Sequence, residues 1–251
     1  MSLVLKNKNY LFVDGRYTLQ AISQSGKFFK VITLPNKMPN EIIKKKLIIG
    51  FDPKLFTKKN LKIFFNKTHL KFKALNNNLI DKIWKRKIKK NKTNFYRLPE
   101  QSVGNSYKLK INQVISNLKK KGADYQFITS GENCAWLLNI RGGDSKYTPI
   151  PNGYILINKN KDISFFCNLD KISSSFRNHF KEIEFFELNL LNRVISRIKD
   201  KKFILDQITC SIHFENIIKE NNKILNFFDP IYTLKAIKKK NEIKNTKIAH
   251  I

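Results

Sequence analysis

Apolar positions along the first third of the chain fall in short runs separated by polar turns. Residues 3–5, 10–13, 30–34, 47–51 and 70–75 read as strands. Between them, 17–25, 40–46 and 58–66 carry helical spacing, and Leu61, Phe64 and Phe65 mark the apolar face of the last. Pro39 and Thr57 are start signals for the second and third of these helices. The first two strands pair as a hairpin across Lys6-Asn7-Lys8-Asn9. Asn76-Asn77-Asn78 breaks the pattern, after which Leu79, Ile80, Ile83 and Trp84 share one helical face that reads as packing. The basic run 85–92 and the apolar-poor stretch 93–101, with Pro99, read as an interdomain connection.

A second strand–helix series follows. Tyr107, Ile111, Val114, Ile115 and Leu118 give a helix over 106–121, stopped at Lys119-Lys120-Lys121-Gly122, where the cations suit the helix dipole and Gly ends the helix. Strand 125–129 leads to a helix, then a hairpin of 154–157 with 163–167. Helix 169–180, strand 183–188, helix 190–199, strand 203–206, helix 210–221, strand 224–228 and a final helical run from Ile231 complete the chain. Alternation of this kind argues for α/β layers, and 251 residues suit two such domains.

The segment that organises the chain is Gly131-Glu132-Asn133-Cys134-Ala135-Trp136-Leu137-Leu138-Asn139-Ile140-Arg141-Gly142-Gly143-Asp144. Cys134, Ala135, Leu137 and Leu138 are core positions, while Arg141 suits a helix C-terminus and Gly142 a turn out of it. Two readings stay open: a short helix that delivers Arg141 and Asp144 into a Gly/Pro loop as part of a site, or a capped core helix with a surface loop. Asp14-Gly15-Arg16-Tyr17 has the same ambiguity, as a partner-facing tip or as a capping turn.

Composition narrows the function classes. Hydrophobic content of 41% with 20 Phe supports real cores. No run approaches the length of a membrane span, no signal-peptide pattern opens the chain, and three Cys without CxxC spacing read as buried thiols of a cytoplasmic protein. The net charge of +30 invites nucleic acid, but the basic residues are nearly all Lys and are dispersed along the chain. Together with abundant Asn, Ile and Phe, this is the output of an AT-rich genome, so the expectation is no specific nucleic acid and no membrane. His69, His179, His213 and His250 are solitary, and Glu182, Glu184 and Glu187 read as a solvated strand edge. A Cys210–His213 dyad has suitable spacing but nothing to activate the thiol. No phosphate-loop, dinucleotide or nucleophile-elbow motif occurs.

Four segments carry a resemblance. Tyr10-Leu11-Phe12-Val13-Asp14-Gly15-Arg16-Tyr17-Thr18-Leu19-Gln20-Ala21 resembles the strand–turn–helix of the first domain of the aminopeptidase P (Xaa-Pro aminopeptidase) family. Asn78-Leu79-Ile80-Asp81-Lys82-Ile83-Trp84 resembles the close of that domain. The stretch 132–144, with Pro149 and Tyr154, is similar to the signature of the second domain. Lys235-Ala236-Ile237-Lys238-Lys239-Lys240-Asn241-Glu242-Ile243, on to Ala249-His250, resembles the first helix of the third.

The resemblance implies two creatinase-like N-terminal α/β domains, each a mixed β-sheet flanked by helices. It also implies a C-terminal pita-bread domain holding a dinuclear metal, usually manganese, through two Asp, a His and two Glu. Such an enzyme removes the residue preceding a penultimate proline. The expected partition is 1–86 for an incomplete first domain, 87–104 for a linker, 105–232 for the second domain, and 233–251 for the start of the pita-bread domain. On this reading the chain is an internal piece of such an enzyme, carries no metal ligand or cofactor, and has no peptidase activity alone. Arg141, Asp144 and Trp136 are then substrate-side or interdomain residues, and Asp14, Arg16 and Tyr17 interface residues. The partners are the enzyme's own catalytic domain, a second copy as homodimer, and proline-containing peptides. Missing strands would leave an open sheet edge or an uncovered apolar face in the first domain. A non-enzymatic scaffold protein of the same fold and a polyanion binder are the alternatives.

Overall fold

In a computed structural model, which describes residues 1–66, 69–84 and 93–250, the chain forms two units, Met1–Asn78 and Leu79–Ile251. The basic run 85–92 lies outside the described residues.

In the first unit, β1 (Ser2–Val4) and β2 (Asn9–Asp14) form the antiparallel hairpin the pattern predicts, with Leu3 opposite Tyr10. A short turn and α1 (Thr18–Ser25) carry the chain to β3 (Lys30–Leu34), which lies parallel to β2. Pro39 opens α2 (Pro39–Ile42). That helix is shorter than the predicted 40–46 because Ile43 turns extended and enters the core. Next come β4 (Ile48–Phe51), α3 (Lys58–Phe64) and β5 (Lys71–Ala74). Thr57 caps α3 by accepting the Asn60 N–H at 3.1 Å. β4 and β5 form a separate two-stranded parallel sheet, so this unit has two small sheets rather than one mixed sheet. Leu3, Phe12, Ile43 and Phe65 form its core, with Phe72 packed against them. Val4, Leu19, Phe28, Ile48 and Leu55 remain more than two-thirds exposed.

The second unit opens with α4 (Leu79–Ile83). Its expected packing face is exposed: Leu79, Ile80, Ile83 and Trp84 all lie at the surface. The stretch read as connection is partly body. Phe95 is buried, and β6 (Tyr96–Arg97) pairs with a strand beyond the central helix. Then follow α5 (Tyr107–Lys120), β7 (Tyr125–Ile128), α6 (Gly131–Leu138), β8 (Ile140–Arg141), β9 (Gly153–Asn158) and β10 (Ile163–Cys167). The chain continues through α7 (Ser174–His179), β11 (Ile183–Glu187), α8 (Leu191–Arg197) and β12 (Lys202–Leu205). It ends with α9 (Ile212–Asn221), β13 (Lys223–Asn226), α10 (Pro230–Ala236) and α11 (Lys240–Ile248).

Helix α5 stops as its sequence dictates. Gly122 takes φ +60°, and the Ala123 N–H returns to the Leu118 carbonyl at 3.1 Å. The predicted helix 169–180 is broken. Asn168 and Ser173 each cap a separate turn through side-chain oxygens, and Ile172 between the turns is extended.

Six strands form one sheet in the order β11-β10-β9-β7-β12-β13. β9 is antiparallel to both neighbours, while β7, β10, β11, β12 and β13 point the same way. Both faces are covered, so the strands read as unbroken apolar runs rather than alternating ones. Ile155, Ile157 and Phe165 join α5, α6 and α7 in one core. Leu156 and Phe166, one residue out of phase, join α8 and α9 in the other. No described helix is long and apolar enough to cross a membrane.

The sheet tolerates no side chain at Gly153, where a Cβ would lie 2.5 Å from the Phe165 ring and 2.8 Å from the Phe166 carbonyl oxygen. Gly153→Ala is expected to destabilise the second unit by about 1–3 kcal/mol, read as a lower midpoint in urea unfolding.

Candidate functional site

The site is built around α6. Cys134, Ala135, Leu137 and Leu138 hold it against the sheet, each at most 3% exposed, as the pattern predicts. Its start and its end are fixed by buried polar groups.

At the start, Asn133 is fully buried. Its amide donates to Asp229 Oδ2 at 2.7 Å, and its carbonyl accepts from Lys235 Nζ at 2.8 Å. Asp229 also accepts from Gln126 Nε2 at 2.9 Å and from the Ile231 N–H at 3.0 Å, which caps α10. Burial pushes the Asp229 carboxyl above its ordinary range, the nearby Asp206 carboxylate adds to this, and these hydrogen bonds oppose it. Tyr232 lies 2.9 Å from Glu132 Oε1 and donates to it. Burial and then that carboxylate push its phenol up to about 12, so it stays a donor. These groups all sit where parallel strands β7, β12 and β13 end, the position where open α/β sheets place their sites.

At the other end, α6 stops at Leu138, earlier than its sequence suggests. Asn139 takes the left-handed conformation at φ 56°, so the helix is closed by Asn139 rather than by Gly142. Arg141 is therefore not at a helix C-terminus; it lies in β8, opposite Tyr96. The buried Lys110, on α5, reaches this end. Its Nζ sits 3.9 Å from the centre of the Trp136 ring, donates to the Trp136 carbonyl at 2.8 Å, and also meets Asn139 Oδ1. Burial lowers its pKa to about 8.

Arg141 is half-buried. One guanidinium N–H meets the Ile140 carbonyl at 2.8 Å, and its other donors have no partner among the described residues. Burial lowers its pKa. Asp144 is committed: its side chain and that of Lys171 are each 8% exposed and form an ion pair, and its second oxygen accepts the Asn152 N–H at 2.6 Å. The turn stays tight because Gly142 lies against the Phe95 ring and Pro151, where a Cβ would come within 2.9 Å of the ring. Trp136 is partly buried against the core.

Asp14, Arg16 and Tyr17 lie in the first unit. Asp14 caps the turn by accepting the Arg16 N–H at 3.0 Å and pairs with Arg16 Nε at 2.9 Å, and all three residues are exposed. The three cysteines are free and buried. His213 lies 3.2 Å from Asn192 Oδ1, and the Cys210 thiol donates to the Ser211 carbonyl. Among the described residues no three His, Cys, Asp or Glu come together as a metal site, so these residues do not fit a dinuclear centre. The sequence reading missed Lys110, Asn133, Lys171 and Asp229. Lys110 was detectable, since it falls between Tyr107, Ile111 and Val114 on an otherwise apolar face.

A mixed, doubly covered sheet with polar groups at its carboxyl end and a Gly-tight loop after α6 defines an α/β domain of the layered class. The chain belongs to the creatinase/prolidase N-terminal domain family, whose model matches residues 86–242. It is 28% identical to a probable Xaa-Pro aminopeptidase P of Laccaria bicolor, covering 100% of this chain and 41% of that protein. It is 24% identical to Xaa-Pro aminopeptidase 1 of Dictyostelium discoideum, covering 99% and 43%. The chain thus spans about two fifths of the length of these curated relatives. The crystal structure of the Caenorhabditis elegans X-prolyl aminopeptidase, described as a cytosolic enzyme with a di-nuclear active site, superposes with a TM-score of 0.83. It is 23% identical, over 97% of this chain and 42% of that one, and shares the fold.

Removing one member of a buried ion pair leaves the other uncompensated. Asp144→Ala is expected to cost about 3–5 kcal/mol, and the double variant Asp144→Ala/Lys171→Met to recover most of that loss in chemical denaturation. Lys110 titrates lower in the folded chain than its ordinary 10.5, so the unfolded chain holds the proton more tightly between about 8 and 10.5. Stability from this residue therefore rises with pH across that window. The rise is expected in thermal melts of the native chain and absent from Lys110→Met.

Proposed function

We propose that this chain is the non-catalytic N-terminal portion of a metal-dependent Xaa-Pro aminopeptidase, where it limits substrate access and supports assembly. The observation that carries the reading is similarity to Xaa-Pro aminopeptidases along the whole chain. In this proposal the metal, manganese or a similar divalent ion in a dinuclear site, and its ligands belong to a catalytic portion outside these residues. The chain's partners are that portion, a second copy of the chain and proline-containing peptides. The cytosolic description of the nematode neighbour supports a cytoplasmic setting.

Within the chain, Arg141 is the residue we assign to the substrate side. A half-buried guanidinium with donors unfilled among the described residues suits a peptide carbonyl or carboxylate. Trp136, held by Lys110, supplies an apolar wall. Asp144 acts through position: its bonds to Lys171 and Asn152 set the path of the loop that begins at Arg141. Asp14, Arg16 and Tyr17 form a polar tip assigned to an interface within the assembly.

In the enzyme that carries this chain, Arg141→Ala is expected to lower kcat/KM on Xaa-Pro peptides about tenfold at unchanged Tm, with Arg141→Lys intermediate. Kinetics equal to the parent would remove the substrate-side role. Residues 1–251 alone, supplied with manganese, are expected to turn over no Xaa-Pro peptide; turnover would overturn the proposal.

A further inference from the structure

The lysines that look dispersed along the sequence are gathered by the fold of the second unit. Because β7, β10, β11, β12 and β13 run the same way, their amino ends share one rim of the sheet. The turn between β9 and β10 reaches the same rim. Backbone bonds knit these loops together. The Lys159 N–H donates to the Asp124 carbonyl at 2.9 Å, the Asp124 N–H to the Lys202 carbonyl at 2.8 Å, and the Lys223 N–H to the Lys201 carbonyl at 2.9 Å.

Two lysine-walled grooves open on this rim. One, of about 610 Å³, lies between the end of α5 and the β9–β10 turn, with Lys119, Lys120, Lys159 and Lys161 on its walls. The other, of about 730 Å³, lies between the loop before β12 and the end of α9. Its walls carry Lys199, Lys201, Lys202, Lys219 and Lys223, with Asp200 and Glu220 between them. All of these lysines are exposed.

Of the rim's acids, Asp124 and Glu182 are held in local bonds, while Asp200 and Glu220 stand on the walls of the second groove among its five lysines. Asp124 pairs with Lys159 at 2.7 Å and accepts the Lys202 N–H, and Glu182 pairs with Lys108 at 2.8 Å. Lys119, Lys120, Lys199, Lys219 and Lys223 have no carboxylate partner among the described residues. The opposite end of the sheet holds Glu132, Asp206 and Asp229. The two lysine-walled grooves thus lie at the end of the sheet away from the candidate site.

We infer that this rim binds the phosphate backbone of nucleic acid without regard to sequence. Six strands at ~4.8 Å spacing give a rim ~24 Å long, comparable to about seven phosphates along one strand of a duplex. Lysines act there as point charges, which position a backbone and read no bases. A membrane surface fits less well. Peripheral membrane binding adds apolar anchors to basic charge, and none of the large exposed hydrophobic side chains lies in the rim loops. The inference is independent of the peptidase reading, since it uses neither Arg141 nor the α6 loop.

The test compares two charge variants of the full chain. One replaces Lys119, Lys120, Lys199 and Lys223 with Glu. The control makes the same charge change in the first unit at Lys27, Lys30, Lys54 and Lys73, which are exposed. Binding to a fluorescein-labelled RNA and to a DNA duplex of ~20 nucleotides is read by anisotropy from about 50 to 200 mM salt. The rim variant is expected to lose at least tenfold in affinity, with a duplex salt slope shallower by about 3–4, while the control loses less than threefold. Equal losses in both variants would show that only total charge matters and would overturn the inference. So would an unchanged salt slope in the rim variant, or rim-dependent binding to phosphatidylserine vesicles as strong as to RNA. A Lys→Gln version of the same four sites keeps the test decisive if the Glu variant fails to fold, with about half the change in charge and the same order of effects.

Discussion

Two opposite charges taken out of water hold the loop of the candidate site in place. Asp144 follows α6, and Lys171 follows β10, on the far side of the sheet's antiparallel strand. Neither is stable in the interior without the other, because desolvating an ion costs more than most single contacts return. Their pairing forces the chain between Arg141 and Gly153 to fold back over Phe95, and the missing side chain at Gly142 lets it do so. The Asn152 N–H completes the arrangement by using the second carboxylate oxygen. The rest of the site inherits its position from this junction: β8 lies where β6 can pair with it, and Arg141 is presented from a strand.

The same logic repeats at the two ends of α6. A helix of eight residues has nearly as many orphan backbone groups as satisfied ones. Lys110 takes up carbonyl capacity at its C-terminal end, and Asn133 joins its first turn to Asp229 beneath α10. Two separate parts of the sequence therefore converge on one short helix, and each contributes a polar group in a place where an apolar residue would leave a partner unsatisfied.

Much of the framework was legible in the sequence because its signals are local. The β1–β2 and β9–β10 hairpins, the Thr57 cap and the Gly122 stop depend on residues close together along the chain. The misreadings share a cause as well. Gly142 is the terminator that sequence alone favours, because Gly is the common choice, yet Asn139 reaches the left-handed conformation three residues earlier and bonds the Asn105 carbonyl through its side chain. Ile172 interrupts an apolar periodicity that looked continuous because two caps outcompete it. Phe95 sits in a stretch that composition alone marks as connecting, and only its tertiary neighbours make it core. The partners of Asp144 and Asn133 are remote in sequence, so no local pattern announces them. The charge misled in the opposite direction, since lysines that looked scattered meet on one rim once the strands are parallel.

The strand order also divides the second unit in time. β7, β9, β10 and β11 follow one another in sequence, apart from the helices between them, and lie side by side in the sheet. β12 joins β7 from the other side, only after that whole run has been traversed. Aligning Phe203 with Tyr125 closes the longest loop among neighbouring strands of this sheet, and loop closure must precede the contacts that reward it. Those two rings, stacked 5.0 Å between centres, lie at the pairing with the largest loop-closure cost in the sheet. A ribosome emitting this chain in order would complete the first half of the sheet while the strands that seal its other side are still inside the exit tunnel.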